Sequence, residues 1–294
     1  MIRLHLGAHK TATTWLQELF TLNRGAIVTA GRVWWPLAQL RPLMAFALWS
    51  QGAPKGLLGK LRRRALRGAP YQRLGTLLDA HESHVLSEEN ILGLPRESLQ
   101  GRIYPQAGAR LERLAQILRD RPVEVWLCLR SYPQFLASLY AEALRDGAMM
   151  PVADFIAANG NPQGQWPALI ENVHRALPEA RIVMWRYEDL HTLQPVIVER
   201  LSGVPLAEMK PLSNDTVRPG PSARAIAAHL ARAEAMTRPQ RVLSMVMAEQ
   251  ADPPVERADR FDPWPAEQAA RMASAYDRDV DAVAAMPFVE MLRP

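Results

Sequence analysis

The first fifteen residues constrain the chain most. An apolar run (Ile2, Leu4, Leu6) breaks at Gly7, a lysine and three threonines follow, and Trp15, Leu16, Leu19 and Phe20 open a helical pattern. A strand, a tight loop and a helix in that order turn backbone N–H groups and a helix N-terminus toward an anion. Lys10 adds a full positive charge to that loop, and Thr11, Thr13 and Thr14 add hydroxyl donors. The segment reads as a cradle for a phosphate-type group at the edge of an α/β sheet.

Apolar runs continue to alternate with helical patterns. Strands are expected at 2–6, 85–87, 123–129 and 181–185, with a weaker one at 26–30, and helices at 13–22, 110–119, 133–145, 165–177 and 195–202. This alternation predicts an open parallel sheet with right-handed crossovers, flanked by helices. Residues 34–80 are too long for a simple crossover and read as a helical insertion. Residues 221–294 read as a helical C-terminal region packed on the core. With no linker, repeat or low-complexity tract, residues 1–294 are expected to form a single domain.

In such sheets ligands bind at the carboxyl ends of the strands, so chemistry should follow each strand directly. After 123–129 come Arg130, Pro133 and Ser138, a forked cation, an early-helix proline and a hydroxyl just over a turn further along the helix. After 85–87 come Glu88 and Glu89, candidates for a general base. Strand alternation would turn the two carboxylates to opposite sides, and Glu89 is the one placed at the site. His84 starts the same strand and falls at its other end.

The loop is not a Walker A motif, because Gly7 lies only three residues before Lys10 and no glycine directly precedes the lysine. Lys10-Thr11-Ala12-Thr13-Thr14-Trp15 instead resembles the K-[ST]-G-T-T-W loop of PAPS-dependent sulfotransferases, with Ala12 in place of glycine. Arg130, Pro133 and Ser138 resemble that family's 3′-phosphate motif. Ser87-Glu88-Glu89 is similar to the S-S-E of its glutamate-base members, Arg186-Tyr187-Glu188-Asp189-Leu190 to a recurrent scaffold segment, and Arg218-Pro219-Gly220 to its late nucleotide loop.

The resemblance implies a P-loop-NTPase-like α/β fold and in-line transfer of a sulfuryl group from PAPS to a hydroxyl acceptor, releasing PAP without a metal. It assigns catalysis to Lys10 and Glu89. It assigns nucleotide binding to Lys10, Thr11, Ala12, Thr13, Thr14, Trp15 (as the adenine-stacking ring), Arg130, Ser138 and Arg218. The acceptor is left open among glycans, lipids and small natural products. Two other classes fit the pattern: a kinase-like nucleotide phosphotransferase, which would need Mg²⁺, and a non-catalytic nucleotide-binding partner protein on the same fold.

Charge and composition narrow the partners. Net charge is +5, a modest bias toward anions. Six of the thirteen residues at 55–67 are basic (Lys55, Lys60, Arg62, Arg63, Arg64, Arg67), interleaved with Leu57, Leu58, Leu61 and Leu66. That pattern suits a solvated helical face, and leaves open contact with an anionic acceptor or a peripheral membrane surface. No nucleic-acid motif accompanies it, so no nucleic-acid partner is expected. No apolar run reaches eighteen residues and no leader pattern opens the chain, so no transmembrane span and a cytoplasmic location are expected. The single cysteine, Cys128, is expected to be a core thiol, and the histidines lack metal-ligand spacing. Trp34, Trp35, Phe46 and Trp49 suit either the core or an apolar acceptor pocket.

Overall fold

The structure, a computed structural model, describes residues 1–48, 73–213 and 220–294. Among these, six strands form one open, all-parallel sheet. They are β1 (Ile2–His5), β2 (Val33–Trp34), β3 (His84–Ser87), β4 (Val123–Leu129), β5 (Arg181–Arg186) and β6 (Val289–Met291), in the order β2-β3-β1-β4-β5-β6. Helices flank it: α1 (Thr13–Leu22), α2 (Arg24–Thr29), α3 (Leu37–Leu48), α4 (Ala107–Leu118), α5 (Tyr132–Arg145), α6 (Val152–Asn159), α7 (Gln165–Ala176), α8 (Leu190–Ser202), α9 (Ala223–Ala233), α10 (Arg238–Ala251) and α11 (Ala266–Ala284).

Strand alternation divides the apolar side chains between two layers. Leu4, Leu86, Val125, Leu127, Ile182 and Met184 join one cluster, packed under α4, α5, α7 and α11. Val85, Trp126, Cys128, Val183 and Trp185 join the other, under α1 and α8. Both faces of β4 are therefore covered, which explains its almost continuous apolar sequence. Each fully buried side chain of this size contributes about 1.5–3 kcal/mol. Cys128 is buried and free, as expected, and burial pushes its thiol up. Trp34 and Trp35 belong to the core at 1% and 8% exposure.

Several elements depart from the sequence expectation. Residues 26–30 are not a strand: α2 continues from α1, burying Ile27, and the strand falls at Val33–Trp34. The Asn23 amide sets that corner by donating to the carbonyls of Leu19 (2.9 Å) and Lys210 (3.0 Å). Helix α8 begins at Leu190, and Pro195 lies inside it. Burial of Leu193 and Ile197 on one face draws in the earlier turn. The C-terminal region is not wholly helical, since Val289–Met291 pairs with β5 as the edge strand. The basic segment 55–67, Trp49, the Phe46 side chain and Arg218 lie outside what is described.

The C-terminal helices also brace the core. Asp279 of α11 is 6% exposed and accepts from Gly164 N at 3.1 Å and Trp166 N at 3.3 Å, capping α7. It also accepts the Tyr132 hydroxyl at the start of α5. Among the described residues no helix is long and apolar enough to cross a membrane.

Candidate functional site

Strand order locates the site. From central β1 the chain runs to β2 on one side, whereas from neighbouring β4 it runs to β5 on the other. The loops after β1 and β4 therefore diverge and leave a crevice at the carboxyl edge of the sheet. Lys10 follows β1 and Arg130 follows β4, so one cation stands on each bank.

The loop is tightly wound. Gly7, Lys10 and Ala12 all have positive φ, at 45°, 62° and 65°. The Thr11 hydroxyl donates to the Ala8 carbonyl at 2.6 Å, and Thr13 approaches the same oxygen at 3.5 Å. Both threonines are buried, so their hydroxyls shape the loop from beneath, whereas Thr14 is exposed and Trp15 half-buried against the α1 layer. Ala12 is the N-cap of α1 and no side chain caps it. The first helical amides thus lack intrahelical partners and a side-chain cap from the N-cap residue, which suits an anion.

Arg130 meets this loop across 120 residues of sequence, with Nη1 donating to the Lys10 carbonyl and the guanidinium 4.5 Å from the Tyr187 ring centre. Its Nε is buried and has no hydrogen-bond partner among the described residues. Burial pulls this guanidinium below its ordinary pKa. Glu188, in the segment read as scaffold, accepts from Ser131 N at 3.0 Å and from the Tyr276 hydroxyl at 2.8 Å. It thereby fixes the turn from Arg130 into α5. Ser138 lies one turn before Glu142 on α5, and Glu142 reaches Lys10 Nζ at 3.4 Å, so this face of the helix looks at the loop.

The Lys10–Glu142 pair pulls its members unequally. Burial, helped by the like charges of Arg145 and Arg130, lowers Lys10 despite its partner. Burial acts to raise Glu142, but Lys10 and Arg145 hold it below the ordinary carboxylate value. The geometry favours a charged pair in which the lysine is partly compensated.

β3 ends at Ser87, so simple alternation does not extend to Glu88 and Glu89; a single arginine, Arg41 of α3, approaches both. The Glu88 side chain is 0% exposed. It accepts from Arg41 Nε (2.8 Å) and Nη2 (3.1 Å) and from Asn90 N (3.1 Å) and Nδ2 (2.8 Å), and is therefore saturated. Glu89 keeps 19% side-chain exposure, with Gln17 Nε2 at 3.2 Å and Arg41 at 3.5 Å. Gln17 also donates to Ser87 Oγ at 3.0 Å, and Ser87 Oγ lies 2.9 Å from His5 Nδ1. Of the two glutamates, only Glu89 retains access for a proton.

His9 ties the loop to this turn. Its main-chain N–H donates to Tyr104 Oη at 2.8 Å, its Nδ1 lies 3.0 Å from the same oxygen, and its Nε2 lies 3.3 Å from Asn90 Oδ1. Because Asn90 gives its amide N–H to Glu88, Nε2 carries the His9 proton and Nδ1 accepts from Tyr104. Burial holds His9 and His5 at about 4, hence neutral. Sequence reasoning missed His9, Gln17, Arg41, Tyr104 and Glu142. Only Gln17 and Glu142 left a signal, as polar residues at helical spacing from the loop and from Ser138.

Among the described residues no group of three His, Cys, Asp or Glu side chains is placed to share a metal ion. The fold and site define an α/β protein with a two-cation crevice at the carboxyl edge of a parallel sheet. Compared with known proteins, the chain matches no family model, no curated protein and no solved structure.

Proposed function

We propose that this chain is a PAPS-dependent sulfotransferase on a P-loop-NTPase-like sheet, moving the sulfuryl group to the hydroxyl of a glycan, lipid or small natural product. The observation that carries this reading is the convergence of Lys10 and Arg130, whose side chain donates to the lysine's own carbonyl. Two cations so placed suit a nucleotide with phosphate at both its 5′ and 3′ positions. Lys10, the open amides at the start of α1 and Thr14 serve the 5′ side. Arg130 and Ser138 serve the 3′ side, and Trp15 offers a ring for the base.

Glu89 takes the acceptor proton as the new S–O bond forms. The bond from sulfur to the nucleotide phosphate breaks, and Lys10 stabilises the charge left on that oxygen. Stabilisation of this kind is electrostatic and needs no covalent enzyme intermediate. Glu88 suits the base role less well, because four donors already occupy its carboxylate.

The test is calorimetric titration with PAP against ADP in EDTA, on wild type and Arg130→Ala. PAP is expected to bind at least tenfold more tightly than ADP, and Arg130→Ala to lose most of that preference. Equal binding of PAP and ADP by the wild type would refute the assignment.

A further inference from the structure

Glu142 sits where the proposed reaction gives it no task. Its Oε2 lies 3.4 Å from Lys10 Nζ and 3.1 Å from Arg145 Nη1. Arg145 in turn donates from Nε to Glu249 of α10 at 2.6 Å. The Lys10 and Glu142 side chains are 26% and 35% exposed, while Arg145 is 7% exposed. An ammonium held close to two arginines in a partly dry loop needs a counter-charge, and Glu142 is the carboxylate that supplies it.

We propose that Glu142 is the resident counter-anion of Lys10, displaced when a phosphate group enters the loop, and so a determinant of which anions bind. This rests on the anion-binding reading of the loop. The event is an exchange of ion pairs in which no covalent bond changes. A ligand must offer Lys10 more than one carboxylate already does. A dianionic phosphate or a pyrophosphate-type group brings more charge and more acceptor oxygens, whereas a simple monocarboxylate brings neither.

Release of Glu142 is inexpensive for two reasons. Its carboxylate is a third exposed, so water can solvate what Lys10 gives up. Arg145 remains beside it, anchored to Glu249, and offers the displaced carboxylate a second partner. The contact therefore acts as a threshold on anion entry rather than a block.

The test is calorimetric titration of inorganic pyrophosphate, with acetate as the monocarboxylate control, into wild type, Glu142→Gln, Lys10→Ala and the double variant. Glutamine keeps the size of the side chain, and circular dichroism verifies the fold of each protein. Pyrophosphate is expected to bind Glu142→Gln about three- to tenfold more tightly than wild type, the scale of a partly exposed ion pair plus the relief of like-charge repulsion. In the Lys10→Ala background the same substitution is expected to give a clearly smaller gain, that of like-charge relief alone, because the counter-ion then has no lysine to occupy. Acetate is expected to bind wild type too weakly to measure. Wild-type binding with no gain in Glu142→Gln, or an equal gain in both backgrounds, would overturn the counter-anion role alone. Failure of every variant to bind pyrophosphate would overturn the anion-loop reading and this inference with it.

Discussion

Gly7→Ala is the perturbation whose size the structure sets most tightly. Its φ of +45° lies where an L-residue is strained by about 1–2 kcal/mol. An added Cβ would stand 2.5 Å from Thr13 Oγ1 and 3.1 Å from both Thr13 Cγ2 and His5 Cε1. Neither neighbour can easily move: Thr13 begins α1 with its side chain packed inward, and His5 stacks on Trp185 with ring centres 5.9 Å apart. Overpacking of this kind costs about 1–3 kcal/mol, for a total of about 2–5 kcal/mol. The companion change, Ala12→Gly, removes the strain of φ 65° and ψ 21° at the α1 N-cap. It also frees the unfolded chain, which offsets about 0.5–1 kcal/mol of that gain. The net is expected to lie within about 1 kcal/mol of wild type, on the stabilising side. Urea unfolding followed by tryptophan fluorescence reads both variants. A Gly7→Ala midpoint within error of wild type at unchanged slope would refute the left-handed, close-packed loop. So would an Ala12→Gly variant as unstable as Gly7→Ala.

Two further outcomes concern stability. His5 and His9 are held neutral by burial, at about 4 against an ordinary 6.5. As pH falls, the unfolded chain takes these protons near 6.5 while the folded chain refuses them until about 4. Stability should therefore be greatest above 6.5, decline across that window by up to about 3 kcal/mol per histidine, and level off below it. Urea midpoints across that range should show a shallower decline in His9→Gln, and an unchanged slope would count against the buried neutral ring. Asp279→Ala strands the Tyr132 hydroxyl proton and the Gly164 amide, while the Trp166 amide keeps Tyr132 Oη at 3.1 Å, and is expected to cost about 2–4 kcal/mol by the same assay. A loss below 1 kcal/mol would mean that α7 is not capped from α11.

What was legible in the sequence followed from local periodicity. The near-continuous apolar run of β4 marks a strand covered on both faces, and the strand-then-helix pattern at 2–22 needed only the break at Gly7. The misses arose where burial depends on distant partners. Residues 26–30 carry apolar side chains that suit a strand, yet Ile27 packs inward as a helical turn because Asn23 is fastened to Lys210. Val289–Met291 is too short to announce itself and becomes a strand only because β5 offers a free edge.

The site divides along the same line. Lys10 and Arg130 each follow a strand, and a parallel sheet gathers whatever follows its strands at one edge, so their approach could be read from order alone. Who neutralises whom could not. Arg41 crosses to Glu88 over 47 residues and Lys10 to Glu142 over 132, and neither pair shares a motif. Yet the proposed roles turn on these pairings. Arg41 and Asn90 saturate Glu88, leaving the adjacent Glu89 as the carboxylate with access to a proton. Glu142 compensates Lys10, so the charge the loop offers a ligand is set by a residue on another element. A motif specifies which groups a site contains, whereas their protonation and availability depend on partners that only the packed chain brings within 4 Å.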